Sequence, residues 1–430
     1  MTTVAISTLG CKVNAYESES TLQELRKRGY QEVDFKEKAD VYIIFTCAVT
    51  NTAASKSRQK IHQARRQNPD ALVGAVGCYV QINAEQMRKQ EEIDLLVGSS
   101  GKDKLPDLID ELVSQREFIQ EIGDVRNHGS FEMLPLKEFE HQTRAYLKVQ
   151  DGCNQFCSYC IIPYARGRER SLALDQALAE ARALSMNHKE IVLAGIHTGR
   201  YGRDIGSSLS ELIEGMCAIE TLERIRISSI EITEITDELL DLMEKNSKIA
   251  RHLHIPLQAG CDETLRRMCR PYTTQEFYDR VQEIRERIPG ISISTDLIVG
   301  FPQETEEEFN STMEFLRKIR FSFLHVFPFS AKTGTPAHKM PQQVSGPEKK
   351  RRAALVGEFS RNSLYEMKSS WIGKEADVLI ETCENGISYG HSSEYLPIGV
   401  EGEYPSGSRI KVVCTHMIKD QLMADIREDQ

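Results

Sequence analysis

Eight residues constrain this chain more than any others: Cys153-Asn-Gln-Phe-Cys157-Ser-Tyr-Cys160. Three thiolates spaced CxxxCxxC on one short loop can hold three corners of a 4Fe–4S cube. The fourth iron is then left without a protein ligand, an open position where a substrate or cofactor can bind and receive an electron. Structural zinc is the alternative, but it wants four closed ligands, usually in C-x2–4-C pairs. No fourth Cys or His lies within ten residues on either side.

The rest of the chain offers ordinary material around that loop. Its 430 residues allow about two to four domains. Hydrophobic content of 40% and charged content of 27% suit a soluble globular protein. No apolar run approaches the ~18 residues of a membrane span. Met1-Thr-Thr-Val-Ala-Ile lacks the basic and apolar regions of a signal peptide, so a cytoplasmic location is expected. In that compartment the eleven cysteines read as metal ligands or buried thiols rather than disulfides. The net charge of −10 argues against general adhesion to nucleic acid but leaves room for local basic surfaces. Candidates are Lys56, Arg58, Lys60, Arg65 and Arg66, then Arg166, Arg168 and Arg170, and Lys349-Lys350-Arg351-Arg352. Each alone reads as a solvated helix face. The middle set stands out because it follows the cysteine loop.

The first 120 or so residues alternate apolar runs with helical patterns. Strands are expected at Val4–Ser7, Val41–Phe45, Leu72–Val76 and Ile93–Val97, and helices at Glu17–Arg28 and Ala53–Arg66. This alternation predicts an open parallel sheet covered on both faces. Cys11, Cys47 and Cys78 each fall just past a strand's C-terminal end, the edge where ligand crevices form in such sheets. Two readings fit: three converging ligands of a second cluster, or three buried thiols.

Residues 124–143 lose periodicity and read as a linker. A second strand–helix series follows, with strands at Tyr146–Val149, Ile191–Ala194, Arg224–Ser228, His252–Pro256, Ile291–Ile298 and Phe323–Phe327. Six such units suit a partial (β/α)6 barrel, with chemistry at the C-terminal strand ends. The cysteine loop follows the first of these strands. Gly195-Ile-His-Thr-Gly199 follows the second, as either a backbone approach to a cofactor or an ordinary turn. After a charged helix at Pro347–Met367, about five short strands with a turn at Glu384-Asn385-Gly386 suggest a small closed β-barrel. From residue 370 onward the chain has eleven Asp or Glu against five Lys or Arg, so electrostatics favours RNA binding there less than shape does.

These residues resemble the radical S-adenosylmethionine (SAM) methylthiotransferases. The matching stretches are Thr8-Leu-Gly-Cys-Lys-Val-Asn14 with Glu17-Ser-Glu19, Phe45-Thr-Cys47, and Gly77-Cys78-Tyr-Val-Gln81. In the second half they are Asp151-Gly-Cys153 through Arg168, His252-Leu-His254-Ile-Pro256-Leu-Gln258-Ala-Gly260, and Thr295-Asp-Leu-Ile-Val-Gly-Phe-Pro302. The resemblance implies an N-terminal methylthiotransferase domain (1–123), a linker (124–143), a radical SAM partial barrel (144–366) and a TRAM-like barrel (367–430). Gly10-Cys11-Lys12-Val13-Asn14 looks most like the branch acting on N6-threonylcarbamoyladenosine (t6A) at tRNA position 37.

What the resemblance implies is methylthiolation of C2 of that base, in ANN-decoding tRNA, with SAM as both radical source and methyl donor. The alternatives are isopentenyladenosine 37 or a ribosomal-protein residue, modified by the same chemistry. Two 4Fe–4S clusters are implied, one on Cys153, Cys157 and Cys160 and one on Cys11, Cys47 and Cys78. Tyr159, Gly195, Gly199 and Gln258 are candidates for the SAM site, with ordinary packing as the alternative, and His254 is either a cavity-lining residue or a satisfied structural histidine. Arg166 and Arg168 are candidates for the SAM carboxylate or an RNA phosphate. Partners implied are an electron donor such as flavodoxin or ferredoxin and a sulfur source, with no membrane. Anaerobically reconstituted protein is expected to carry about eight irons, and Cys153→Ala and Cys11→Ala about four each. Iron and sulfide assays check this; one cluster in the wild type, or zinc, contradicts it.

Overall fold

The computed structural model of the protein describes residues 1–90, 92–126, 129–140 and 142–427. The first unit runs β1 (Thr3–Thr8), α1 (Lys12–Lys27), β2 (Gln31–Glu32), β3 (Val41–Thr46), α2 (Asn51–Gln67), β4 (Leu72–Gly77), α3 (Cys78–Arg88), β5 (Leu95–Val97), α4 (Leu105–Gln115) and β6 (Ile119–Glu121). Its strands pair in the order β2-β1-β3-β4-β5-β6, every pairing parallel. β3 and β4 are buried along their whole length. That two-sided burial is why Val41-Tyr-Ile-Ile-Phe is an unbroken apolar run rather than an alternating one.

One helix starts earlier than expected. α1 begins directly after Cys11, not at Glu17. Its first turns bury Asn14, Glu17 and Ser18, so the apolar period that announces a helix is missing there.

The second unit contains β7 (Ala145–Lys148), β8 (Gln150–Asp151), α5 (Ile162–Arg166), β9 (Arg170–Ser171), α6 (Leu174–Ser185), β10 (Glu190–Ala194), α7 (Leu209–Cys217), β11 (Arg224–Ile227), α8 (Asp237–Lys245), β12 (His252–His254), α9 (Asp262–Arg267), α10 (Thr274–Arg287), β13 (Ser292–Val299), α11 (Glu306–Ile319) and β14 (Phe323–Pro328). Two three-stranded parallel sheets, β11-β10-β7 and β12-β13-β14, are joined by the parallel bridges Ile225–Ile249 and Ser229–His254. Six parallel strands therefore follow one another in chain order. Their shared core includes Leu147, Leu193, Ile225, Leu253, Ile293 and Leu324.

The expected linker is not loose. Residues 127, 128 and 141 lie outside the described residues; the others in 124–143 form no regular element. Leu134, Leu136 and Phe139 are nevertheless buried in the second unit's core. Phe139 N–H donates to His188 Nε2 at 2.9 Å. The segment is a strap, invisible to periodicity because its buried residues follow no helix or strand period.

α12 (Gly346–Ser369) is capped by Ser345, whose hydroxyl accepts from Glu348 N–H at 3.3 Å. It leads into β15 (Glu375–Glu384), β16 (Ile387–Ser392), β17 (Pro397–Glu401), β18 (Arg409–Ile418) and β19 (Gln421–Ile426), a closed barrel in the order β15-β16-β17-β19-β18. Asn385 and Gly386 turn at φ 53° and 77°, the left-handed pair that a two-residue hairpin requires. No helix among the described residues is long and apolar enough to cross a membrane.

The first two units meet along α1. Tyr16 Oη lies 2.5 Å from Glu180 Oε1 and 2.6 Å from the Leu134 carbonyl. Burial pushes Glu180 up to about 7, with the Tyr16 hydrogen bond opposing it. The folded protein thus keeps a proton that the unfolded chain loses at about 4.5. That contribution to stability is full below the unfolded value and is lost as pH rises through about 7. Between about pH 5 and pH 8 the wild type is expected to lose about 1–3 kcal/mol relative to Glu180→Gln. Urea unfolding at each pH checks this, and parallel pH profiles contradict it.

Candidate active site

The cysteine loop leaves β8 through Gly152, at φ 73°. A Cβ there would stand 1.9 Å from the Arg168 carbonyl, so only glycine allows this exit. The loop is then pinned from outside at Ser158 and closed on itself at Cys160. Ser158 N–H donates to the Met268 carbonyl at 3.1 Å, Ser158 Oγ to the Arg267 carbonyl at 2.7 Å, and Cys160 N–H to the Cys157 carbonyl at 3.0 Å. Each sulfur has its own surroundings. Cys153 Sγ lies 3.4 Å from His197 Nδ1, whose Nε2 is 2.9 Å from Glu234 Oε1. Burial alone would lower His197, but Cys153 and Glu234 together bring it to about 9. Cys157 Sγ lies 3.5 Å from Nη1 of Arg270, a buried guanidinium paired with Glu231. Burial pushes Cys160 up to about 12.

Cys11, Cys47 and Cys78 come together as their strands dictate. The register pairs Thr8 with Phe45 and Thr46 with Gly77, so β1, β3 and β4 end nearly level. Cys47 and Cys78 follow their strands immediately, and Cys11 forms the N-cap of α1. Gly10, at φ 98°, lies against Cys47; a Cβ would come within 2.9 Å of Cys47 Sγ. Burial pushes Cys47 up to about 11, and Cys78 and Cys11 are near enough to add to that rise. Thiols held this high give up their protons to a metal centre rather than to water.

Both donor sets fit a cluster better than a single ion. Among the described residues, only His254, Asp296 and His325 form a group of three ligand atoms all within 4.8 Å of one another. Each cysteine set instead offers three thiols from one locality, the donor type and number that leave one iron of a cube without a protein ligand.

Between the two sets lies a buried charge cluster. Arg166, with no exposure, donates from Nε to Cys78 Sγ at 3.2 Å and from Nη2 to Asn14 Oδ1 at 2.9 Å. Its Nη1 is 3.1 Å from both Glu17 Oε1 and Asp151 Oδ1. Glu17 also receives Lys102 and Lys148, each at 2.7 Å, and Asp151 receives Lys148 at 2.9 Å and Arg170 at 3.4 Å. Burial would raise both carboxylates, but the surrounding cations hold them well below their usual range. Lys102, Lys148, Arg166 and Arg170 surround Glu17 and Asp151, with buried Glu132 near Lys148, and the guanidinium of Arg166 stands beside Cys78. A cube held by three thiolates carries net negative charge, which the Arg166 guanidinium complements.

A cavity of about 230 Å³ opens over the cysteine loop, lined by all three of its cysteines. Tyr159 and Gln258 line it as the sequence suggests, Gln258 from a left-handed backbone at φ 67°. Gly195 and Gly199 do not. The turn between them reaches the cavity through Ile196 and His197. The two glycines instead make room for the protein itself: a Cβ on Gly199 would fall 2.8 Å from the Glu234 Cβ, and one on Gly195 3.2 Å from the Gln150 Cβ. Arg166 touches neither this cavity nor the surface, so it binds no phosphate. Arg168 is exposed, its guanidinium 5.4 Å from the Phe156 ring centre. Of the other basic stretches, Arg65 is spent on Asp94 and Arg352 on Glu304. The sequence reading passed over Arg270, Glu231 and Asp296, which all line the cavity. A charge inside an apolar strand end, as at Asp296, is the signal that could have found the last.

Residues 147–316 match the family profile described as "Radical SAM superfamily", and residues 3–98 match "Uncharacterized protein family UPF0004". The fold is similar to that of TsrM, a radical S-adenosylmethionine methyltransferase from Kitasatospora setae. The TM-score is 0.60 over 90% of this chain and 81% of that one, at 13% identity. Fold and cysteine loop together define a radical SAM enzyme.

Relatives narrow the class. The chain is 40% identical over 421 residues to threonylcarbamoyladenosine tRNA methylthiotransferase MtaB of Bacillus subtilis, covering 96% of this chain and 93% of that one. It is 36% identical over 385 residues to tRNA-2-methylthio-N(6)-dimethylallyladenosine synthase of Acetivibrio thermocellus, covering 87% and 80%. The chain belongs to the radical SAM methylthiotransferase family, whose cofactors are SAM and 4Fe–4S clusters.

The charge cluster yields a direct expectation. Lys102 is fully buried, and Glu17 is its ion-pair partner among the described residues. Glu17→Gln takes the direct ion-pair partner from Lys102, Lys148 and Arg166, leaving Asp151 as the carboxylate that still faces them, and should cost about 3–5 kcal/mol of stability. Denaturant unfolding of the two proteins measures it, and a loss under about 1 kcal/mol contradicts the account.

Proposed function

We propose that this chain methylthiolates C2 of t6A at position 37 of ANN-decoding tRNA. The observation that carries this is a chain 40% identical, over 96% of its length, to a relative named for threonylcarbamoyladenosine tRNA. The geometry supports it with two triple-cysteine sets in one molecule, the set at Cys153, Cys157 and Cys160 opening on a cavity.

In this reading Cys153, Cys157 and Cys160 hold the cluster that binds SAM, and Cys11, Cys47 and Cys78 hold the second. When bound, these groups supply a radical able to take an unactivated aromatic hydrogen, and a methylthio group to replace it, which no side chain can do. The chain's own residues orient and shield. Tyr159 and Gln258 form cavity wall around the cofactor. Arg270 sets Cys157, and the His197–Glu234 pair sets Cys153. Phe156 and Tyr164 stand exposed on the loop's outer face at 45% and 42%, with Arg168 over Phe156. Aromatic rings beside a guanidinium suit unstacked bases and their phosphates.

The units follow the boundaries 1–123, 144–366 and 367–430, with the strap at 124–143 between the first two. The middle one is a partial (β/α)6 barrel and the last a TRAM module. A cytoplasmic location, an electron donor such as flavodoxin or ferredoxin, and a sulfur source complete the reading.

Mass spectrometry of tRNA nucleosides from a deletion strain tests it. Loss of the 2-methylthio form with accumulation of t6A is expected. Loss of methylthiolated isopentenyladenosine, or unchanged tRNA with an altered ribosomal protein, contradicts the substrate assignment.

A further inference from the structure

A second cavity, of about 270 Å³, adjoins the one over the cysteine loop and is not used by the chemistry above. The two share Ser229 and Asp296 in their walls. Its wall is strongly cationic: Lys12, Arg144 and Arg226 face it, against the single carboxylate of Asp296.

Most of these charges are already answered. Arg144 and Arg226 each reach Glu190 Oε1 at 2.7 Å. Arg226 also donates to the Ser392 and Ser393 carbonyls at 3.1 Å. Asp296 Oδ1 lies 3.2 Å from His254 Nε2. Lys12 is different, since no hydrogen bond or ion pair reaches its ammonium from any described residue. In the same wall His252 is only 5% exposed, and its Nδ1 also lacks a partner. Lys12 is exposed, with Asp296 as the carboxylate of the same wall that acts on it, so its ammonium is open to an incoming anion, and the buried His252 Nδ1 in that wall has a hydrogen-bonding position to fill.

The position of this cavity relates it to the reaction. C2 and the N6 amino group of adenine flank N1 on one edge of the ring. A base that presents C2 over the cysteine loop therefore projects its N6 substituent away along that edge, towards the adjoining space. We infer that this second cavity is the specificity pocket for an N6 substituent ending in a carboxylate, with Lys12 as the residue that pairs the carboxylate. This inference rests on the function proposed above. A neutral alkyl substituent in the same place would desolvate the Lys12 ammonium and leave it unpaired, so the pocket rejects it as well as preferring the acid.

The test compares two anticodon stem–loops with the reconstituted enzyme. One carries t6A; the other carries its threonine amide, equal in shape but without the charge. The wild type is expected to favour the acid by about ten- to a hundredfold in kcat/KM. Lys12→Met should reduce that preference to about threefold or less, and Lys12→Arg should keep most of it. Because each ratio is taken within one preparation, differences in iron content cancel. Equal kcat/KM for acid and amide in the wild type overturns the inference while leaving the proposed function standing, as does a preference that survives in Lys12→Met. Turnover of neither loop, together with turnover of a third loop carrying dimethylallyladenosine, removes the proposed function itself.

Discussion

The buried cluster of Glu17, Asp151, Lys102, Lys148, Arg166 and Arg170 fixes how the first two units meet. A lone carboxylate buried as these are costs several kcal/mol, and so does a lone ammonium. Glu17 and Lys102 come from the first unit, and Lys148, Asp151, Arg166 and Arg170 from the second. The second unit's charges and the first unit's are therefore fully answered only when the two are docked in one register. Arg166 makes the coupling specific, since one guanidinium binds Cys78 and Asn14 on one side and Asp151 on the other. Its helix, α5, begins two residues after Cys160. The separation between the cysteine sets is thereby set by a short, rigid path.

A parallel device seats the C-terminal barrel. Glu190, fully buried, holds Arg144, Arg224 and Arg226. Burial would raise that carboxyl, but the three guanidiniums bring it to about 2. Two of them continue outward to backbone carbonyls of the barrel: Arg224 to Asp377 at 2.8 Å, and Arg226 to Ser392 and Ser393. Tyr395 enters beside them, stacked on His252 and His391 with ring centres 5.1 and 4.7 Å away. The space inside the strand ring thus gains a wall from each of the three units: Lys12, the strand residues and Tyr395.

Much of this was legible in the sequence, for reasons that differ by element. The cysteine loop was readable because its ligands are local. The six strands of the second unit lie within about two residues of their expected places, although β11 alternates Arg with Ile and β14 is largely exposed, because short β-branched and aromatic runs recur between helices. The convergence of Cys11, Cys47 and Cys78 followed from strand ends alone. What escaped was polar and buried. The first turns of α1 hide Asn14 and Glu17, so no amphipathic stripe marks them. Arg166 reads like any surface arginine until its carboxylates, distant in sequence, are brought to it. Gly195 and Gly199 read as either a backbone approach to a cofactor or an ordinary turn, and their missing side chains make room for Gln150 and Glu234. Lys148 did leave a trace: a lysine inside a buried strand always has a partner to be found.

The central claim is that one rigid, charge-locked interface holds the two cysteine sites at a fixed separation. Pulsed EPR of the reduced, fully loaded protein measures this most directly through the dipolar coupling between the two paramagnetic centres. A single narrow distance distribution is the predicted result. A broad distribution, or two centres with no measurable coupling, would show that the units are not locked together and would contradict the account.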